Sequence, residues 1–185
     1  MPVPSAEFKK AVKELSEKEK EAIILKAARR DAELYDMLAY ELLPDITLEL
    51  VQEETAEKIH ALMYGLTGRN LTKSISRSLR KAVKEIARFK RITKDSKAEI
   101  DLHFYLLRLI FDNFTGQFES SYKSFFTATA RLVVRTMQLI RKNLHEDYHL
   151  EYKADLDNFL YQLNSRSKKN HLSFALPPEF VLESQ

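Results

Sequence analysis

The sequence predicts an all-α protein: seven or eight mostly antiparallel helices in an irregular, solenoid-like stack of helical hairpins, with a compact helical bundle as the alternative. Three observations carry this. Apolar residues recur at spacings of three and four along nearly the whole chain, and no stretch alternates strictly. Only three glycines in 185 residues leave few tight hairpin turns. Side chains that start helices precede several of the apolar-periodic runs.

Taken in order, the first helix starts after Ser5, with Phe8, Val12 and Leu15 on one face. Ser16-Glu17-Lys18-Glu19 has the capping-box pattern, so a second helix with Ile23, Ile24 and Ala27 begins there. Asp31 caps a third with Leu34, Leu38 and Leu42, which Pro44 stops. Asp45 or Thr47 opens a fourth, running through Val51, Ile59 and Met63 toward Gly68, a left-handed C-terminal candidate. The fifth spans about Leu71 to Ile92. The sixth begins near Asp95, carries Ile100, Phe104, Leu107 and Phe111, and breaks at Thr115-Gly116-Gln117. The seventh runs from about Ser120 to Leu144 and the eighth from about Tyr148 to Leu163. Residues 5–163 then form a helical body and 164–185 a non-helical tail, since Pro177-Pro178 forbids a helix. Phe174, Leu176, Phe180 and Val181 suit a tail seated in a groove. The whole, 1–185, reads as a single domain, and no repeat of fixed period is found. The aromatics between Phe104 and Phe126 read as packing of the sixth helix on the seventh.

Composition excludes much chemistry. With no cysteine there is no disulfide framework, iron–sulfur cluster or thiolate zinc site. No glycine-rich phosphate loop, serine-nucleophile motif or Walker sequence is present. Met1-Pro2-Val3-Pro4 leads directly into charged amphipathic sequence, unlike a signal peptide, and no apolar run nears the ~20 residues of a membrane span. The expectation is a cytoplasmic protein without a cofactor.

Charge is segregated. The formal net charge is +3, yet residues 1–68 hold nine Lys/Arg against fourteen Asp/Glu, and 69–94 hold ten against Glu85 alone. Residues 95–185 are nearly balanced, with eleven against twelve. At 100° per residue the fifth helix separates cleanly. Leu71, Ile75, Leu79, Ala82, Val83, Ile86 and Phe89 share one arc; Lys73, Arg77, Arg80, Lys81, Lys84, Arg88 and Arg91 share the other. Such a face is a solvated surface neutralised by the acidic first third, a site for an acidic protein partner, or a row that neutralises nucleic-acid phosphates. An anionic membrane surface is the weakest fit, because it would need the apolar arc free.

His145-Glu146-Asp147-Tyr148-His149 matches H-E-x-x-H, in which two His bind zinc and the Glu activates a bound water. Asp155 stands where one metalloprotease class places its third ligand. Against this, Tyr152 occupies the position of the glycine that turns the chain back to the metal, and no strand precedes the motif. The segment reads instead as the junction of the seventh and eighth helices. The expected catalytic and metal sets are therefore empty, with His145, His149 and Asp155 as the metal candidates to check.

Four stretches also resemble an uncharacterised bacterial family of short helical proteins, a domain of unknown function. They are Glu7-Phe8-Lys9-Lys10 through Leu15-Ser16; Leu34 to Leu38; Ser78-Leu79-Arg80-Lys81-Ala82-Val83-Lys84-Glu85-Ile86-Ala87-Arg88-Phe89; and Asp101-Leu102-His103-Phe104-Tyr105. The resemblance implies an all-α, repeat-like fold over about 7–163 and no catalytic residue. The sequence thus points first to a non-enzymatic helical protein-interaction module that presents a basic helix to an acidic protein partner. Sequence-independent nucleic-acid binding is the alternative, and a zinc-dependent hydrolase the third reading.

Overall fold

The computed structural model describes residues 3–66, 68, 70–170 and 172–181. Met1-Pro2 and parts of the expected tail, His171 and 182–185, lie outside the described residues. The described chain is all-α, with eight helices and no strand among the described residues. Among them, too, no helix is long and apolar enough to cross a membrane. Packing contacts group the chain into two compact units, Met1–Thr47 and Leu48–Gln185.

The first unit holds α1 (Ala6–Glu14), α2 (Glu17–Arg30) and α3 (Ala32–Leu42). None of the three helices has a buried residue, so local signals matter most. Ser5 accepts from Phe8 N, and the Ser16/Glu19 capping box closes in both directions. Asp31 accepts from Glu33 N and Leu34 N. Each such cap contributes about 1 kcal/mol by satisfying amides that the first turn leaves open. α2 and α3 pack on each other.

The second unit contains α4 (Leu48–Met63), α5 (Leu71–Thr93), α6 (Ser96–Asn113), α7 (Ser124–Asn143) and α8 (Glu146–Asn170). α6 lies in its middle, in contact with α4, α5 and α7. Aromatic side chains join it to α8: Phe104 stands 4.6 Å from Tyr152, and Phe111 stacks on Phe159 at 4.4 Å. A 3-10 turn, Thr115–Glu119, drives Phe118 into the same core, 5.5–5.7 Å from Phe111, Phe125 and Phe126.

Three boundaries differ from those expected. α4 ends at Met63, short of Gly68, because Gly65 already takes a left-handed φ of 73°. α7 begins at Ser124 rather than Ser120, since residues 120–123 form an irregular link between the 3-10 turn and the helix. α8 does not stop near Leu163; it runs through 164–170, expected to be tail. Its apolar pattern fades there, but side chains bond back to the preceding turn. Ser165 and Arg166 donate to Gln162 O, Ser167 to Asn164 O and Asn170 to Arg166 O. Arg166 also pairs with Glu119 at 3.4 Å.

Beyond α8 the chain folds back along α7 and α8. Phe180 is wholly buried. Its N–H donates to Asp157 (2.7 Å), and its carbonyl accepts from Lys153 (2.9 Å). Asn164 donates to Pro177 O and Arg141 to Val181 O. Burial pushes the Asp157 carboxyl up, but the Lys153 and Phe180 hydrogen bonds and the Lys153 charge outweigh it and hold the group below its ordinary 3.8. Its contribution is therefore present above the unfolded-state pKa and lost as pH falls through the lower folded value.

Two outcomes follow for the tail. Phe180→Ala should cost about 2–3 kcal/mol in denaturant unfolding, the transfer term for a buried aromatic whose segment can peel away. Amide-exchange protection over 172–181 should persist well above pH 3.8 and collapse below it, with Asp157→Asn showing the loss at neutral pH.

Candidate functional site

α5 has the most sharply divided surface of the unit. Ile75, Leu79, Ala82, Ile86 and Phe89 are buried, facing the helices that α5 touches, α4, α6 and α7. Leu71 and Val83, expected on the same arc, are half-buried at its edge. Lys73, Arg77, Arg80, Lys81, Lys84 and Arg91 are exposed, and Arg88 is half-buried. The buried arc also holds Thr72 and Ser76, which the apolar periodicity did not signal. Thr72 donates to Gln117 of the 3-10 turn, and Ser76 donates to Thr72 O.

α7 supplies a second row of cations beside the first. A groove of about 380 Å³ runs between the two helices. Its floor is Leu79 and Val83 of α5 with Ala128 and Leu132 of α7; its walls are Arg80 and Lys84 on one side, Arg131 and Arg135 on the other. At the start of α7 the groove continues into a more polar hollow of about 400 Å³. The hollow shares Arg80, Ala128 and Arg131 and adds Lys123 with the hydroxyls of Ser76, Tyr122, Ser124 and Thr127.

Of the seven α5 cations expected to form the binding face, Arg80 and Lys84 line the groove; Lys73, Arg77, Lys81, Arg88 and Arg91 lie elsewhere on the helix. The α7 cations were missed because they sit in a stretch whose charges nearly cancel. Their signal was the helical spacing of Arg131 and Arg135, one turn apart and flanking buried Leu132 and Val133.

Among the described residues no carboxylate pairs with Arg80, Lys84, Lys123, Arg131 or Arg135. Two of the guanidiniums are nevertheless held. Arg80 Nε donates to Ser76 O at 3.1 Å, and Arg131 lies 5.9 Å above the Phe174 ring. On α6, His103 is buried, and neither ring nitrogen has a partner among the described residues. Burial first, and the charge of Arg135 second, push its pKa down to about 4. It is thus neutral at physiological pH and adds no charge to the site.

The metal candidates are not brought together. His145 precedes α8, is 74% exposed, and sets Nδ1 3.1 Å from Asp147. His149 is buried, with Nε2 3.2 Å from Leu144 O. Asp155 accepts from Arg108 of α6 at 2.6 and 3.0 Å. Helix continues through Tyr152, where the metalloprotease pattern has its turn, and this carries Asp155 onto α6. Among the described residues no group of three or more His, Asp or Glu could hold a metal.

Equimolar zinc should accordingly leave the melting temperature unchanged and bind substoichiometrically by elemental analysis. His149→Ala should lower the melting temperature equally with and without zinc, as loss of a buried contact does.

Compared with known proteins, the chain matches no family model, no curated protein and no solved structure.

Proposed function

We propose that this protein is a non-enzymatic helical interaction module that binds an acidic segment of a partner protein in the groove between α5 and α7. One observation carries the reading: an apolar floor of Leu79, Val83, Ala128 and Leu132 lies between cationic walls that no carboxylate neutralises among the described residues. The chemistry matches an amphipathic segment. Its apolar side chains gain about 25 cal/mol for each Å² they bury on the floor, and carboxylates at its edges meet Arg80, Lys84, Arg131 and Arg135. The wall charges set orientation and encounter rate more than affinity.

Nucleic acid is the competing ligand for the cations. A phosphate backbone would use the walls and gain nothing from the floor. Aromatic side chains on which bases could stack are absent from the lining of this part of the groove.

The test uses a labelled synthetic amphipathic helix, leucines on one face and glutamates along both edges, beside a labelled random-sequence duplex. Micromolar peptide binding is expected, weakened about tenfold or more by Arg80→Glu with Arg131→Glu. Val83→Ser should weaken the peptide and leave any duplex binding unchanged. Absence of peptide binding, or duplex binding with a steep salt slope that Val83→Ser does not alter, would sink the protein-partner reading.

A further inference from the structure

We propose that the polar hollow at the start of α7 is a phosphoryl subsite, and that the segment received by the groove carries a phosphoserine or phosphothreonine. This rests on the reading of the groove as a site for an acidic protein segment, and it names the chemistry of that segment.

Charge stoichiometry is the first argument. Arg80, Lys123 and Arg131 line one hollow, and no acid lines it among the described residues. A carboxylate brings one negative charge, whereas a phosphomonoester brings between one and a half and two at neutral pH, spread over three acceptor oxygens. Three cations around one hollow therefore match a phosphoryl group better than a glutamate.

Donor geometry is the second. Arg80 is anchored through Nε to Ser76 O, which leaves its two terminal nitrogens for a ligand. The guanidinium carbon of Arg131 lies 5.9 Å from the centre of the Phe174 ring, within reach of a cation–π attraction that uses none of its N–H donors. The Arg80 fork is tethered through Nε before a ligand arrives, which lowers the entropic cost of binding. The hydroxyls of Tyr122 and Thr127 have no hydrogen-bond partner among the described residues. Ser76 commits its proton to Thr72 O at 2.8 Å, so in its 3.3 Å contact with Ser124 the Ser124 hydroxyl is the donor and can rotate to a ligand instead. The first turn of α7, entered at Ser124 without a side-chain cap, adds its partial positive charge to the same field.

Continuity is the third. The hollow shares Arg80, Ala128 and Arg131 with the apolar-floored groove. A segment lying on Leu79, Val83 and Leu132 thereby places its next residues in the hollow. A nucleic-acid backbone would fill the hollow and leave that floor unmatched.

The test compares three synthetic peptides that share one amphipathic sequence and differ at a single residue: serine, glutamate or phosphoserine. Affinities are read by fluorescence polarisation, with inorganic phosphate and a random-sequence duplex as competitors. The phosphoserine peptide should bind about tenfold more tightly than the glutamate peptide, as one or two added charge-assisted hydrogen bonds imply. Lys123→Glu should erase that preference, costing the phosphoserine peptide the most affinity, the glutamate peptide less and the serine peptide least, because Lys123 lines the hollow and not the apolar part of the groove. The preference should also shrink below about pH 6, where the phosphate takes up its second proton. Equal binding of the glutamate and phosphoserine peptides overturns the subsite and leaves the groove reading standing. Binding of none of the three overturns the groove reading itself. Displacement by the duplex at lower concentration than by the phosphopeptide, lost in Lys123→Glu, assigns the hollow to a nucleic-acid backbone and overturns the proposal. Competition by inorganic phosphate as strong as by the phosphopeptide assigns it to a free anion, and overturns the proposal equally.

Discussion

The packing around α6 is the constraint on which the second unit rests. This helix buries ten of its eighteen residues, Glu99 and His103 among them. It presents Phe104 and Phe111 to the aromatic rings of α8 and the 3-10 turn. α5 and α7 both lie against it and against each other. Once their apolar arcs are committed to that core, the seam between them must be edged by whatever their outer arcs carry, and those are arginine and lysine. The groove is thus a by-product of core packing in its position and a matter of surface sequence in its chemistry.

The cations carry an energetic cost. Two like charges 4 Å apart repel by about 1 kcal/mol in water and by more near a protein surface. Gathering five along one seam with no acid in it contributes nothing to stability, and water and salt screening make the cost tolerable. Elsewhere in the same unit opposite charges do pair: Arg108 with Asp155, Lys153 with Asp157, Arg166 with Glu119. The groove departs from that habit.

Helix beginnings were legible in the sequence because their signals are local. Ser5, Ser16 with Glu19, Asp31 and Asp95 each bond to amides within three residues. Helix ends were less legible because they depend on partners far along the chain. α8 persists past its apolar pattern partly through Arg166 and Glu119, and the start of α7 was displaced by a 3-10 turn whose purpose is to seat Phe118. The same distinction divides the site. Its α5 half could be read from one helix with nearly uniform charge, whereas its α7 half lay in sequence whose net charge hides it. The H-E-x-x-H spacing shows the opposite failure. Its residues are near in sequence, yet His145, His149 and Asp155 answer to a neighbouring acid, a backbone carbonyl and another helix.

The returning tail has a consequence for the groove. Phe174 belongs to the tail, and the guanidinium above it belongs to Arg131, which lines both parts of the seam. Tail docking and groove occupancy therefore draw on one side chain, and thermodynamic reciprocity applies to the pair. A ligand that leaves Arg131 in place on Phe174 tightens the tail by as much as the docked tail tightens the ligand. A ligand that draws Arg131 away loosens the tail by the same measure. The segment that carries Phe174 is in that sense a gauge of what the groove holds, coupled to it through Arg131.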